Sequence, residues 1–87
     1  MTLFYGNIED ERIFAKADKP ENDYNSSAAK KLDPEHEYLV TFVEVGGFHT
    51  DIYLNGRDEV FNSVCFTFYK DNKEIDIIEY LRPRFWG

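Results

Sequence analysis

The sequence predicts a mainly β fold, a small antiparallel barrel of five to six strands with at most one short helical turn. Three observations point there. From Glu37 to Leu81 the chain reads as runs of β-branched and aromatic residues cut by turn-forming polar residues. Hydrophobic residues make up 43% and aromatic residues 17% of the chain, enough apolar surface to fold. No segment carries a helical apolar pattern long enough for an independently stable helix. At 87 residues there is room for one core, so residues 1–87 are expected to form a single domain.

Leu3-Phe4-Tyr5 before Gly6-Asn7, and Arg12-Ile13-Phe14-Ala15 after Glu9-Asp10-Glu11, read as two short strands around a turn. Lys19 to Asn25 is loop by composition. Ser26 to Leu32 has the makings of one or two helical turns capped by a serine. Asp33-Pro34-Glu35-His36 is a turn that feeds the first long strand, Tyr38 to Val45. Gly46-Gly47 follows as a two-residue hairpin turn with positive φ. From Phe48 the pattern alternates, with Phe48, Thr50, Ile52 and Leu54 facing the core and His49, Asp51, Tyr53 and Asn55 facing water.

Asn55-Gly56 is a second turn, and Val60 or Phe61 resumes the sheet. The strand from Phe61 to Tyr69 is expected to bury Val64, Phe66 and Phe68 and to turn Ser63, Cys65, Thr67 and Tyr69 the other way. Asn62-Ser63 suits a backbone-bonding role at its start. Lys70-Asp71-Asn72-Lys73 closes a hairpin onto a last strand, Glu74 to Leu81, and Pro83 ends regular pairing because it has no N–H to give. So many short strands need closure to cover their edges, and an SH3-like or OB-like barrel is the economical solution.

Leu32 to Val40, a leucine and a turn before a Tyr-x-Val strand, resembles the entry to an SH3-like barrel. Glu44 to Leu54 followed by Phe61 to Phe66 is similar to small uncharacterised proteins of phages and Gram-positive bacteria. The resemblance covers the C-terminal half and implies a small barrel of mobile-element origin, with no activity attached.

Function is constrained mainly by charge. The formal net charge is −7, and the acids are spread from Glu9 to Glu79. A surface of that sign repels phosphate backbones and anionic lipid, so direct nucleic-acid and membrane binding are disfavoured. No stretch approaches the roughly 20 apolar residues of a membrane helix. With one cysteine, Cys65, and no basic, apolar leader after Met1, the expected setting is the cytoplasm. The sequon Asn25-Ser26-Ser27 then carries no weight.

His49, Asp51 and Cys65 are the residues a hydrolase reading would use, but adjacent polar residues on a wet strand face are ordinary and no local motif supports a triad. His36, His49 and Cys65 lack metal-ligand spacing. The expectation is a non-enzymatic protein with no cofactor and no metal. Two features remain. Glu9, Asp10 and Glu11, with Asp18, Glu21 and Asp23, place negative charge in the N-terminal third, an acidic rim for a basic partner. Arg84, Phe85 and Trp86 end the chain with residue types enriched at interfaces, suited to docking or homo-oligomer formation unless the rings fold back over the core. The first feature leads to the expectation of an inhibitor of phage anti-defence type that blocks a basic, nucleic-acid-binding protein. The second leads to a self-associating or complex-docking module.

Overall fold

The run Tyr38–Gly46 forms the longest strand, and everything else is arranged around it. The computed structural model describes residues 2–23 and 28–85. Within them lie seven strands: β1 (Thr2–Asn7), β2 (Phe14–Lys16), β3 (Tyr38–Gly46), β4 (Thr50–Leu54), β5 (Val60–Asn62), β6 (Thr67–Lys70) and β7 (Lys73–Ile75). One α-helix, α1 (Ile77–Phe85), follows.

Every strand pair is antiparallel. The sheet order is β5-β4-β3-β2-β6-β7, with β1 also paired to β3. β1 and β2 share one edge of β3: β1 takes Phe42 to Gly46, and β2 takes Tyr38 and Leu39. The two short N-terminal strands therefore exist as expected but pair with β3 and not with each other. The sheet is open, since the end strands β5 and β7 are not paired to each other.

The β3–β4 hairpin shows how the local pattern was shifted. Gly46 N–H bonds the His49 carbonyl at 2.9 Å, so Gly47 and Phe48 form the tip and β4 begins at Thr50. The positive-φ glycine among the described residues is Gly56, not either glycine of this turn. Phe48, expected in the core, is fully solvent-exposed at the tip. Beyond it the alternation holds, with Thr50, Ile52 and Leu54 buried.

The expected strand from Phe61 to Tyr69 is broken in two, which raises the strand count to seven. A 3₁₀ turn at Ser63–Cys65 intervenes, started by the Asn62 side chain, whose oxygen accepts the Val64 N–H at 3.2 Å. The extra turn resets the facing, so Val64 is exposed while Cys65, Phe66, Thr67 and Phe68 are all buried. Asn62 thus has the backbone-bonding role its sequence position indicated.

The C-terminus departs furthest from expectation. Glu74 to Leu81 is not a strand: pairing stops at Ile75, and α1 begins at Ile77. The Asp76 carboxylate accepts the Ile78 and Glu79 N–H groups at 3.0 and 3.1 Å, which satisfies orphan donors of the first turn. Ile77 and Leu81, one turn apart, are both buried in the core. Pro83 lies inside α1 instead of merely ending pairing. It removes the N–H that would bond the Glu79 carbonyl, on an exposed stretch of the last turn where water can serve.

The helical turn foreseen near Ser26 is a 3₁₀ turn at Ala29–Lys31. Its N-cap is Ala28, with no side-chain cap, and the serines lie outside the described residues with the sequon. The core joins Ile8, Ile13, Val40, Val43, Ile52, Leu54, Phe61 and Leu81, all at most 2% exposed. Phe61 meets Phe66 edge to face, with ring centroids 5.7 Å apart.

Candidate protein-binding surface

The acidic triplet forms a 3₁₀ turn, Glu9–Glu11, between β1 and β2. Asn7 Oδ1 accepts the Glu9 N–H at 2.9 Å, and Arg12 closes the turn in the left-handed region at φ 57°. Glu9 and Asp10 are exposed. Glu11 is engaged internally: its Oε1 accepts the Tyr80 hydroxyl at 2.9 Å and lies 3.7 Å from Arg84 Nε. Its carbonyl accepts from Lys70 Nζ. The Arg84 guanidinium sits 3.9 Å from the Tyr80 ring centroid and donates to the Tyr80 carbonyl at 3.1 Å.

Two residues expected in separate binding features, Glu11 and Arg84, therefore meet in a clasp that holds α1 against the β1–β2 connection. The ion pair itself is half exposed and adds little, while the Tyr80 hydroxyl and ring give the clasp its geometry. The side chain of Phe85, and Trp86, lie outside the described residues.

The second acidic group follows β2. Asp18 accepts the Thr67 hydroxyl with both carboxylate oxygens, at 2.9 and 3.0 Å. Asp23 accepts from Asn62 Nδ2 at 3.3 Å, and Asn22 donates to the Val64 carbonyl at 2.9 Å. Glu21 is exposed on the 3₁₀ turn Pro20–Asn22. This segment is stapled to the β5–β6 junction. The acids thus form two groups at opposite ends of β2, and in each group one or more carboxylates already serve the fold.

His49 Nε2 lies 3.3 Å from Asp51 Oδ1 near the start of β4, both partly open to solvent. The Cys65 thiol is buried and donates to the Pro20 carbonyl at 3.9 Å. Burial, reinforced by the Asp23 charge, pushes its pKa up, which keeps the thiol protonated and poorly nucleophilic. His36 packs against the Tyr38 ring at 4.5 Å. Among the described residues no cluster of three or more His, Cys, Asp or Glu could hold a metal ion. No helix among them is long and apolar enough to cross a membrane.

Sequence reasoning missed an aromatic strip on the outer face of the sheet. Tyr5 on β1 meets Phe42 on β3 at 4.6 Å, and Phe42 meets Tyr53 on β4 at 5.5 Å, both edge to face. The irregular register between Val40 and Phe42 explains the miss, because it moves Phe42 off the strict period-2 pattern.

Comparison with curated proteins and with solved structures finds no match. Residues 12–83, from the end of the acidic turn to the proline of α1, match the family model described as Bacteriophage T4 protein Y07B, and the chain belongs to that phage protein family.

Proposed function

We propose that this phage protein is a non-enzymatic, acidic binding protein that engages and blocks a basic, nucleic-acid-binding protein of the host cytoplasm, in the manner of an anti-defence inhibitor. The observation that carries the reading is how the two signs of charge are disposed. Half of the ten basic residues are laid over rings of the chain itself: Arg12 over Phe14, Lys16 over Tyr69, Arg57 over Tyr38, and both Lys70 and Arg84 over Tyr80. Glu9, Asp10 and Glu21 stand out in solvent. With a net charge of −7, the field beyond the surface is negative, which steers a basic protein in and repels nucleic acid.

We further infer that the fold is a partly opened SH3-like barrel. In support, β3 is shared by two groups of strands that diverge from its irregular register, and a 3₁₀ turn carries the chain from β5 in one group to β6 in the other.

The test is affinity capture from host lysate at low and moderate salt, with the double variant Glu9→Lys/Asp10→Lys beside the wild type. A basic nucleic-acid-binding protein should be captured, weakened at least about tenfold by the reversal, and released as salt rises. A captured partner indifferent to both salt and charge reversal would refute the reading.

A further inference from the structure

The aromatic strip on the outer face of the sheet borders a cleft whose remaining lining is polar. One cross-strand rung builds it: Asn7 on β1 is opposite Phe42 on β3, Phe42 is opposite Tyr53 on β4, and Tyr53 is opposite Val60 on β5. Residues opposite one another share a face of the sheet. Tyr5, two residues before Asn7, stands on that face as well and is 65% exposed. The Tyr5–Phe42 and Phe42–Tyr53 contacts are steep, at interplanar angles of 78° and 89°, so neither contact covers a ring face with a parallel neighbour. With Asn7, Thr41 and Arg57 the three rings line a cleft of about 390 Å³, within the size range of small-molecule sites.

The polar groups of the cleft have capacity that an apolar occupant would leave unused. Arg57 follows the Asn55-Gly56 turn, with its N–H on the Leu54 carbonyl at 3.1 Å, and its side chain is exposed. Among the described residues no carboxylate pairs with it; its guanidinium lies 5.7 Å from the Tyr38 ring. Asn7 uses Oδ1 to accept the Glu9 N–H, which leaves Nδ2 to donate. The Thr41 hydroxyl donates to the Tyr53 carbonyl at 3.3 Å, which leaves its oxygen to accept.

We propose that this cleft binds a mononucleotide, with the base stacked on Tyr5 beside Phe42 and Tyr53, the base edge bonded by Asn7 and Thr41, and the phosphate on Arg57. A nucleotide combines what the lining offers to receive: a flat π surface, donors and acceptors along one edge, and one anionic group. Charge limits the ligand to a single unit. A polynucleotide would carry a phosphate per residue past a protein of net charge −7 that offers one cation at this cleft, whereas a mononucleotide brings one phosphate to Arg57. The same arginine repels a lysine or arginine of a protein partner. None of Glu9, Asp10 and Glu21 lines the cleft, so the site does not depend on whether a basic partner is captured.

The test is an amide NMR titration of the full chain with AMP, adenosine and ribose phosphate. AMP should shift the amides of Tyr5, Asn7, Phe42, Tyr53 and Arg57 with a dissociation constant of about 1 mM or tighter, and each of the other two probes should bind at least about fivefold more weakly. Arg57→Ala should bring AMP down to the affinity of adenosine. Tyr5→Ala should weaken AMP and adenosine alike, by at least about fivefold, with the rest of the amide spectrum preserved. No shift at these residues at about 10 mM AMP, equal affinity for AMP and either other probe, or AMP binding that either variant leaves unchanged would each overturn the proposal. Tighter binding of single-stranded oligo(dA) than of AMP would overturn it in favour of a nucleic-acid surface.

Discussion

Asp76 shows how a single side chain can decide an element. Its carboxylate accepts two N–H groups at the start of α1, so Asp76→Ala should lower stability by about 1 kcal/mol, read as a lower urea midpoint with an unchanged slope. The signal was legible in retrospect: Asp76-Ile77-Ile78-Glu79 is an N-cap with an acid three residues on. It was outweighed by the alternation of Glu74 to Ile77. Cys65 makes a different prediction. Its pKa is raised by burial, so below the ordinary thiol value it is protonated in both the folded and unfolded states and its stabilising burial is intact. As pH climbs past that value toward the raised one, the unfolded chain sheds the proton first and stability falls. Thiol labelling at neutral pH should accordingly be slow in buffer and fast in denaturant; equally fast labelling in both would contradict a buried thiol.

At the scale of elements, turns and helix ends respond to different forces. Asn55-Gly56 is a turn in both sequence and structure, with Gly56 at φ 80°, where a Cβ is strained although nothing crowds it. Gly56→Ala should cost roughly 1 kcal/mol by thermal melting, with the fold retained. Asp71 and Asn72, at φ 54° and 66°, make the tight turn between β6 and β7 that their residue types indicate. Helix α1 depends instead on burial. Leu81 is fully buried, and Leu81→Ala should cost about 3 kcal/mol, whereas Arg82→Ala, on the exposed side, should be nearly silent in the same denaturation series. Similar losses for the two would mean that α1 does not pack through Leu81.

Over the whole molecule, the net charge of −7 acts on stability as well as on partners. Carboxylates on both ends of β2 repel one another, so raising salt from roughly 10 mM to 0.5 M, which shortens the screening length from about 30 Å to about 4 Å, should raise the thermal midpoint. A flat midpoint would mean that favourable contacts such as the Glu11–Arg84 ion pair offset the repulsion. The local chemistry of the chain was enough to establish the mainly β class, the turns at Asn55-Gly56 and Asp71-Asn72, the buried face of Thr50, Ile52 and Leu54, and the acidic surface. These depend on residue type and on period-2 spacing, which neighbours along the chain already contain. Tertiary packing decided that β1 and β2 share an edge of β3, that Ile77 and Leu81 enter the core from one face of a helix, and that Glu11 and Arg84 clasp Tyr80. Each of these rests on contacts between residues far apart in sequence, whereas the Asn62 and Asp76 side chains act within three residues to start the 3₁₀ turn and α1, and burying Leu81 then outweighs a weak local preference for the extended chain.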